Sequence, residues 1–309
     1  MNHLTTSNLF PSYLDWKKIN MASRTDYNNP KSSESLGLPY HYEMVSDHTR
    51  VAPFKEAILQ TCQGKRVLES GAGSAILSIL AARAGATKVY AVEMDDAIAV
   101  IARKNILESG YSDVITLIIK DLKDITLDDL DGKKVDVAIA ENLSTWQVTE
   151  PQIQLMNHIN RLLIHPKGDR IPNTIFNEIE LAHSQYIFEG IEIRTYYFEF
   201  TGVHSSQIKS AKYLFREIDL NQISETKIEQ KIILKVNSDG IVNSIRLTSP
   251  LQVGNGIFFS SSDSLMPPVV FPLDEDLQVK AKDLIEVHIK YKNNTSWEKF
   301  SCSAKIVRS

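Results

Sequence analysis

The stretch VLESGAGSAILSILAARAGATKVYAVEMDD, residues 67–96, decides how the chain folds. Lys65-Arg66-Val67-Leu68 leads as a short strand into a glycine-containing turn at 71–73. Ile76, Leu77, Leu80 and Ala84 then recur at helical spacing, and Gly85 stands where a helix ends. Val89-Tyr90-Ala91-Val92 reads as a second, buried strand. A helix is expected over about 95–109, closed by Gly110, and Val114 to Ile119 and Val135 to Ala140 are two further short apolar runs. Strand, helix, strand, helix, strand predicts right-handed βαβ units and a parallel sheet.

The turn itself points to a ligand. Glu69-Ser70-Gly71-Ala72-Gly73-Ser74-Ala75 follows a strand and opens a helix, so small residues let the backbone approach a bound group while the helix N-terminus offers N–H donors. Glu93 closes the second strand, 20 residues after Gly73. A carboxylate at that place bonds ribose hydroxyls in nucleotide-binding folds. No G-K-[ST] follows the turn, so it is not a P-loop.

Outward from this segment the character changes. The 309 residues suffice for two domains. Residues 1–39 are rich in Ser, Thr, Asn and Pro and poor in aliphatics, which makes them an arm that cannot build its own core. Residues 40–172 hold the alternating strands and helices. Beyond 173, β-branched and aromatic runs at 175–181, 194–200, 232–236, 241–247, 284–291 and 300–307 predict an antiparallel sandwich or barrel.

Composition removes several classes of function. Lys and Arg number 34 against 38 Asp and Glu, a net charge of -4, which gives no electrostatic case for nucleic acid or an anionic membrane. Two cysteines, Cys62 and Cys302, build neither a disulfide framework nor a thiolate zinc site, and no His/Cys cluster points to a metal. The first residues lack the basic and apolar regions of a signal peptide, and no apolar run approaches a membrane span. A soluble, cytoplasmic protein is expected. No G-x-S-x-G is present, which argues against a hydrolase.

Residues 67–96 resemble the S-adenosyl-L-methionine (AdoMet) binding region of class I methyltransferases, especially the protein arginine methyltransferase family, whose usual form is V-L-D-x-G-x-G-x-G-I-L-S followed by V-Y-A-V-E. Here Glu69 replaces the common Asp and Ala75 the third glycine. Upstream, His41, Met44, Asp47 and Arg50 are similar to the family's H-x-x-M-x-x-D-x-x-R segment. The resemblance implies a Rossmann-like α/β domain followed by an antiparallel β-barrel-like domain, with the N-terminal arm folding over the cofactor as a lid. It implies AdoMet as cofactor, held by Arg50, Glu69, Gly71, Gly73 and Glu93. Asp121, Lys123 and Asp124 stand where the family contacts adenine. Met44 would lie close to the transferred methyl. A homodimer is compatible with it.

After the strand ending at Ala140, Glu141 and Glu150 stand nine positions apart. The resemblance makes them the acceptor's carboxylates. Two carboxylates hold and orient a planar guanidinium, placing one nitrogen in line with the sulfonium methyl. Pro151 also allows a plain reading of Glu150 as the N-cap of a helix over 151–163. The family's T-H-W segment is replaced by SSDSLMPPVVFPL (261–273), and its Y-F-x-x-Y segment is absent. The acceptor therefore reads as a nitrogen of a small molecule or peptide. A diverged protein arginine methyltransferase, an O-methyltransferase and an inactive AdoMet-binding interaction module are the alternatives.

Overall fold

The computed structural model describes residues 38–307. The expected arm over 1–39, and its role as a lid, lie almost entirely outside the described residues.

Two helices open the described chain, α1 (Leu38–Ser46) and α2 (His48–Thr61). Asp47 separates them and caps α2, its carboxylate accepting from the Arg50 backbone N–H at 3.2 Å. The parallel sheet then follows in βαβ steps: β1 (Arg66–Ser70), α3 (Ile76–Arg83), β2 (Lys88–Glu93), α4 (Asp96–Ser109), β3 (Ile115–Ile119) and β4 (Val135–Ala140). Helix α5 (Gln152–His158) and a π turn over Ile159–Leu163 lead into β5 (Ile164–Ile171). The order β3-β2-β1-β4-β5 puts β1 at the centre with its carboxyl end beside those of β2 and β4, the crevice where ligands bind in open α/β sheets. Strands β1, β2 and β4 are buried almost throughout, as their continuous apolar runs require.

Strand β5 was not legible in the sequence. Its IHPKGDRI pattern holds a proline, a glycine and four polar or charged residues, and it is an edge strand, which tolerates all three.

The second half is antiparallel. Strands β6 (Thr174–His183), β7 (Ile187–Phe188), β8 (Ile191–Glu192), β9 (Tyr197–Phe198), β10 (Gln207–Ile208), β11 (Tyr213–Asp219), β12 (Lys227–Lys235), β13 (Gly240–Thr248), β14 (Leu251–Gly254), β15 (Ile257–Phe259), β16 (Val269–Val279), β17 (Leu284–Lys292) and β18 (Ser301–Val307) follow in turn. Eight of them form a curled sheet about β6, and β12-β17-β18 form a smaller one. Together they make a β-barrel-like domain with its own core, in which Ile179, Leu181, Ile245, Leu247, Val287 and Ile289 are fully buried. The aromatic run at 194–200 contributes only the two-residue strand β9. Tyr196 stacks on Phe271 beside Trp297, and Glu199 turns to Arg246, so the run bends to follow its side chains.

Candidate functional site

The glycine turn is built for close approach. Gly71 and Gly73 lie at φ of +67° and +54°, where a side chain is strained. A Cβ on Gly71 would collide with the Asn142 amide, and one on Gly73 would sit 3.0 Å from the His41 ring. Ala75, in the place of a third glycine, is fully buried and also left-handed, at φ +65°. That conformation costs an L-residue about 1–2 kcal/mol, a strain that glycine would relieve. Helix α3 starts at the next residue.

Three acidic side chains close on the turn. Glu93, at the end of β2 and 7% exposed, accepts from the Gly73 N–H at 2.8 Å with one oxygen and from the Asp95 N–H at 2.9 Å with the other. Glu69, 2% exposed, accepts from the Ser78 hydroxyl of α3. Burial pushes its carboxyl up to about 8, with Glu93 adding to the rise, against the pull of Ser78 and Arg50. Glu141, just past β4, forms an ion pair with Arg50 of α2. Arg50 is 5% exposed; its Nη1 donates to the Met44 carbonyl at 3.2 Å, and its Nε has no hydrogen-bond partner among the described residues. Helices α1 and α2 thus bring Met44 and Arg50 over the carboxyl ends of β1 and β4.

Asp121, Lys123 and Asp124 occupy a short turn after β3, next to Glu93, whose carbonyl accepts from the Lys120 N–H at 3.0 Å. Asp121 accepts from the Lys123 N–H at 2.9 Å and pairs with its ammonium at 2.9 Å, so those two answer each other.

The loop from 141 to 150 spans both domains. Its start is held by the first domain. Ser70 donates to the Asn142 side-chain oxygen at 2.8 Å, and the Gln152 amide bonds the backbone on either side of Glu141. Its middle is buried in the second. Trp146, fully buried at φ +57°, donates from Nε1 to the Glu178 and Thr248 carbonyls and stacks on Phe215 with centroids 4.6 Å apart. Asn293 bonds the Trp146 and Gln147 carbonyls, and Thr295 donates to Val148. The backbone N–H groups of Thr149 and Glu150 then return to the Ser144 hydroxyl. Trp146 is therefore an anchor in the barrel core and does not face the site.

Glu150 ends this loop with no ion-pair or hydrogen-bond partner for its carboxylate among the described residues, and burial alone lifts it to about 7. It is not a helix cap: Pro151 takes the N-cap place and α5 begins at Gln152. Tyr40 of α1 lies within electrostatic reach of Glu150 and Arg50, and burial foremost raises its hydroxyl. That hydroxyl donates to the Ser264 carbonyl at 3.1 Å, and the Ser264 hydroxyl donates to Asp47 at 2.5 Å. Leu265 and Met266 sink into the first domain's core. The segment at 261–266 thus closes one wall, against α1 and α2. Beyond it an open cavity of about 750 Å³ runs from Asp47 and Thr49 past Asp263 to Glu199 and Arg246. Sequence reasoning missed Asn142, Gln152, Tyr40 and Ser264, because their bonds run to backbone groups or to residues far along the chain and leave no spacing signal.

The residues fit AdoMet. Arg50, cationic and short of one partner, suits a carboxylate; Glu69 and Glu93 suit an ammonium and ribose hydroxyls; the two glycines let Asn142 and the His41 ring pack directly on the turn. Among the described residues, no group of three or more His, Cys, Asp or Glu is placed to hold a metal, and no helix is long and apolar enough to cross a membrane.

The chain is similar in sequence and in fold to known proteins. Residues 56–194 match the family model described as ribosomal protein L11 methyltransferase (PrmA). The chain is 27% identical over 263 residues to an uncharacterised protein of Methanocaldococcus jannaschii, covering 84% of this chain and 94% of the other. It is 27% identical over 280 residues to an arginine N(omega)-methyltransferase of Streptomyces achromogenes subsp. streptozoticus, covering 83% and 77%. Its fold is similar to the Trypanosoma brucei PRMT1 enzyme-prozyme heterotetrameric complex with AdoHcy, at a TM-score of 0.70 and 20% identity over 86% of this chain and 96% of that one.

Proposed function

We propose that this chain, an AdoMet-dependent methyltransferase built like the protein arginine methyltransferases, methylates a nitrogen of a guanidine or amine carried by a small molecule or peptide. The observation that carries the reading is the pair Glu141 and Glu150, one on Arg50 at the cofactor turn, the other partly buried without a counter-charge. The named activity of the Streptomyces relative supports a guanidine in particular.

When bound, AdoMet supplies an electrophilic methyl on a sulfonium. In this reading Arg50 receives its carboxylate, Glu69 its ammonium and Glu93 its ribose hydroxyls, while Met44 borders the methyl. Asp121, Lys123 and Asp124 border the base. Glu141 and Glu150 accept N–H bonds from the acceptor and hold its reactive lone pair towards the methyl. Such alignment can remove several kcal/mol of the barrier, because little else is needed once a good leaving group is in place. As the N–CH₃ bond forms, the nitrogen must lose a proton. Glu150, lifted to about 7, is matched to take it near neutral pH.

A substitution tests this pairing. Glu141→Gln keeps the size and one acceptor oxygen but loses the charge. Turnover should fall far more than affinity for S-adenosylhomocysteine (AdoHcy). Normal turnover in a folded Glu141→Gln variant would sink the paired-carboxylate reading.

The same proposal includes a homodimer in the cytoplasm. The β7–β8 hairpin exposes Ile187, Phe188, Ile191 and Ile193 together, a patch of the kind that marks a contact surface. Light scattering of the purified chain should return twice 34.8 kDa; a monomer that stays monomeric at high concentration would contradict it.

A further inference from the structure

Gln152 is fully buried at the first turn of α5, two residues after Glu150. Its side-chain oxygen accepts from the Asn142 N–H at 2.9 Å, and its side-chain nitrogen donates to the Ala140 carbonyl at 2.9 Å. Those two groups belong to the peptide planes on either side of the Glu141 Cα. One amide therefore does for Glu141 what a neighbouring strand does inside a sheet: it offers a donor and an acceptor in register and fixes φ and ψ together. With both planes fixed, the Cα–Cβ bond of Glu141 has one direction, towards Arg50. The same short segment, Glu150-Pro151-Gln152, carries the other carboxylate.

We infer that Gln152 is a positioning residue, resting on the reading of Glu141 and Glu150 as the acceptor's carboxylates: it sets where Glu141 stands relative to Glu150. It touches neither cofactor nor acceptor and acts through the backbone of Glu141. Its neighbours argue against simple space-filling. Ser70 holds the Asn142 side chain while Gln152 holds its backbone, so the residue after Glu141 is gripped by two independent side chains. Misplacement of a reacting group by about 1 Å can cost about 10²-fold in rate.

Gln152→Met keeps the shape and removes both bonds; Gln152→Glu, when ionised, keeps the acceptor and removes the donor. In hydrogen exchange, the Asn142 amide should be protected in the native chain, exposed in Gln152→Met and protected again in Gln152→Glu, with Val137 and Ile139 unchanged in all three. With L-arginine, agmatine and an arginine-containing peptide as acceptors, Gln152→Met should lose about 10²-fold in kcat. AdoHcy affinity should fall by much less than kcat, since the bonds removed reach the cofactor turn only indirectly, through Asn142 and the Glu141–Arg50 pair. In the double variant with Glu141→Gln, Gln152→Met should cost nothing more, because its whole effect runs through Glu141. Additive losses, or a kcat unchanged by Gln152→Met, would overturn the inference. If the native chain methylates none of the three acceptors, the acceptor reading fails, and the exchange experiment alone decides the clamp: equal Asn142 exchange in the native chain and Gln152→Met overturns it.

Discussion

Glu150 is a carboxylate that the fold partly buries without a counter-charge, and this has a measurable cost. Burial lifts it from 4.5 to about 7. A raised carboxylate binds its proton more tightly in the folded chain than in the unfolded one. Between pH 4.5 and 7 the folded state therefore holds more protons, and stability falls as pH rises. The contribution is fully present below about 4.5 and is lost as pH passes about 7. A shift of this size corresponds to about 3 kcal/mol. Glu150→Gln removes the ionisation while keeping the shape, so its stability lacks this slope. Urea unfolding of both proteins from pH 4.5 to 8 should show the variant gaining on the native chain by about 3 kcal/mol across that range. Glu69, lifted to about 8, slopes the same way but is common to both proteins and cancels in the difference. Parallel stability curves would refute the claim that Glu150 is desolvated and unpaired. Turnover of the native enzyme should rise with pH through about 7, as Glu150 becomes able to accept a proton.

Other outcomes follow from the same geometry. Because Glu69 is protonated up to about pH 8 in the free chain, an ammonium placed beside it should expel that proton; calorimetry of AdoHcy binding at pH 7 in buffers of different ionisation heat should find close to one proton released. Gly71→Ala should lose AdoHcy affinity by calorimetry, since the new Cβ displaces Asn142 in a backbone conformation that alanine resists. Trp146→Ala should cost about 3–5 kcal/mol in denaturant unfolding, because it empties the barrel core and strips the loop between the two carboxylates of its anchor.

The first domain was legible because its signals are local. Continuous apolar runs at Val67, Val89 and Val135, a glycine turn and a carboxylate at a strand end each declare themselves within a few residues. Gly71, Gly73 and Glu93 together pointed to a bound ligand, and the resemblance of residues 67–96 to class I methyltransferases made that ligand AdoMet. The edge strand Ile164–Ile171 escaped because an edge needs no apolar run. The meeting of Arg50 with Glu141 was out of reach too: the two stand 91 positions apart and were expected to serve different ligands. Trp146 could not be placed because its partners, Phe215, Tyr291 and Phe300, lie far along the chain. The replacement of T-H-W was visible as a loss; that Ser264 bonds Asp47 and seats Tyr40 was not.

The most direct test of the account is the position of the transferred methyl. The chain, incubated with isotopically labelled AdoMet and with L-arginine, agmatine and an arginine-containing peptide, should yield a product whose fragmentation places the label on a guanidine or amine nitrogen. A label found on oxygen or carbon would contradict the role given to Glu141 and Glu150.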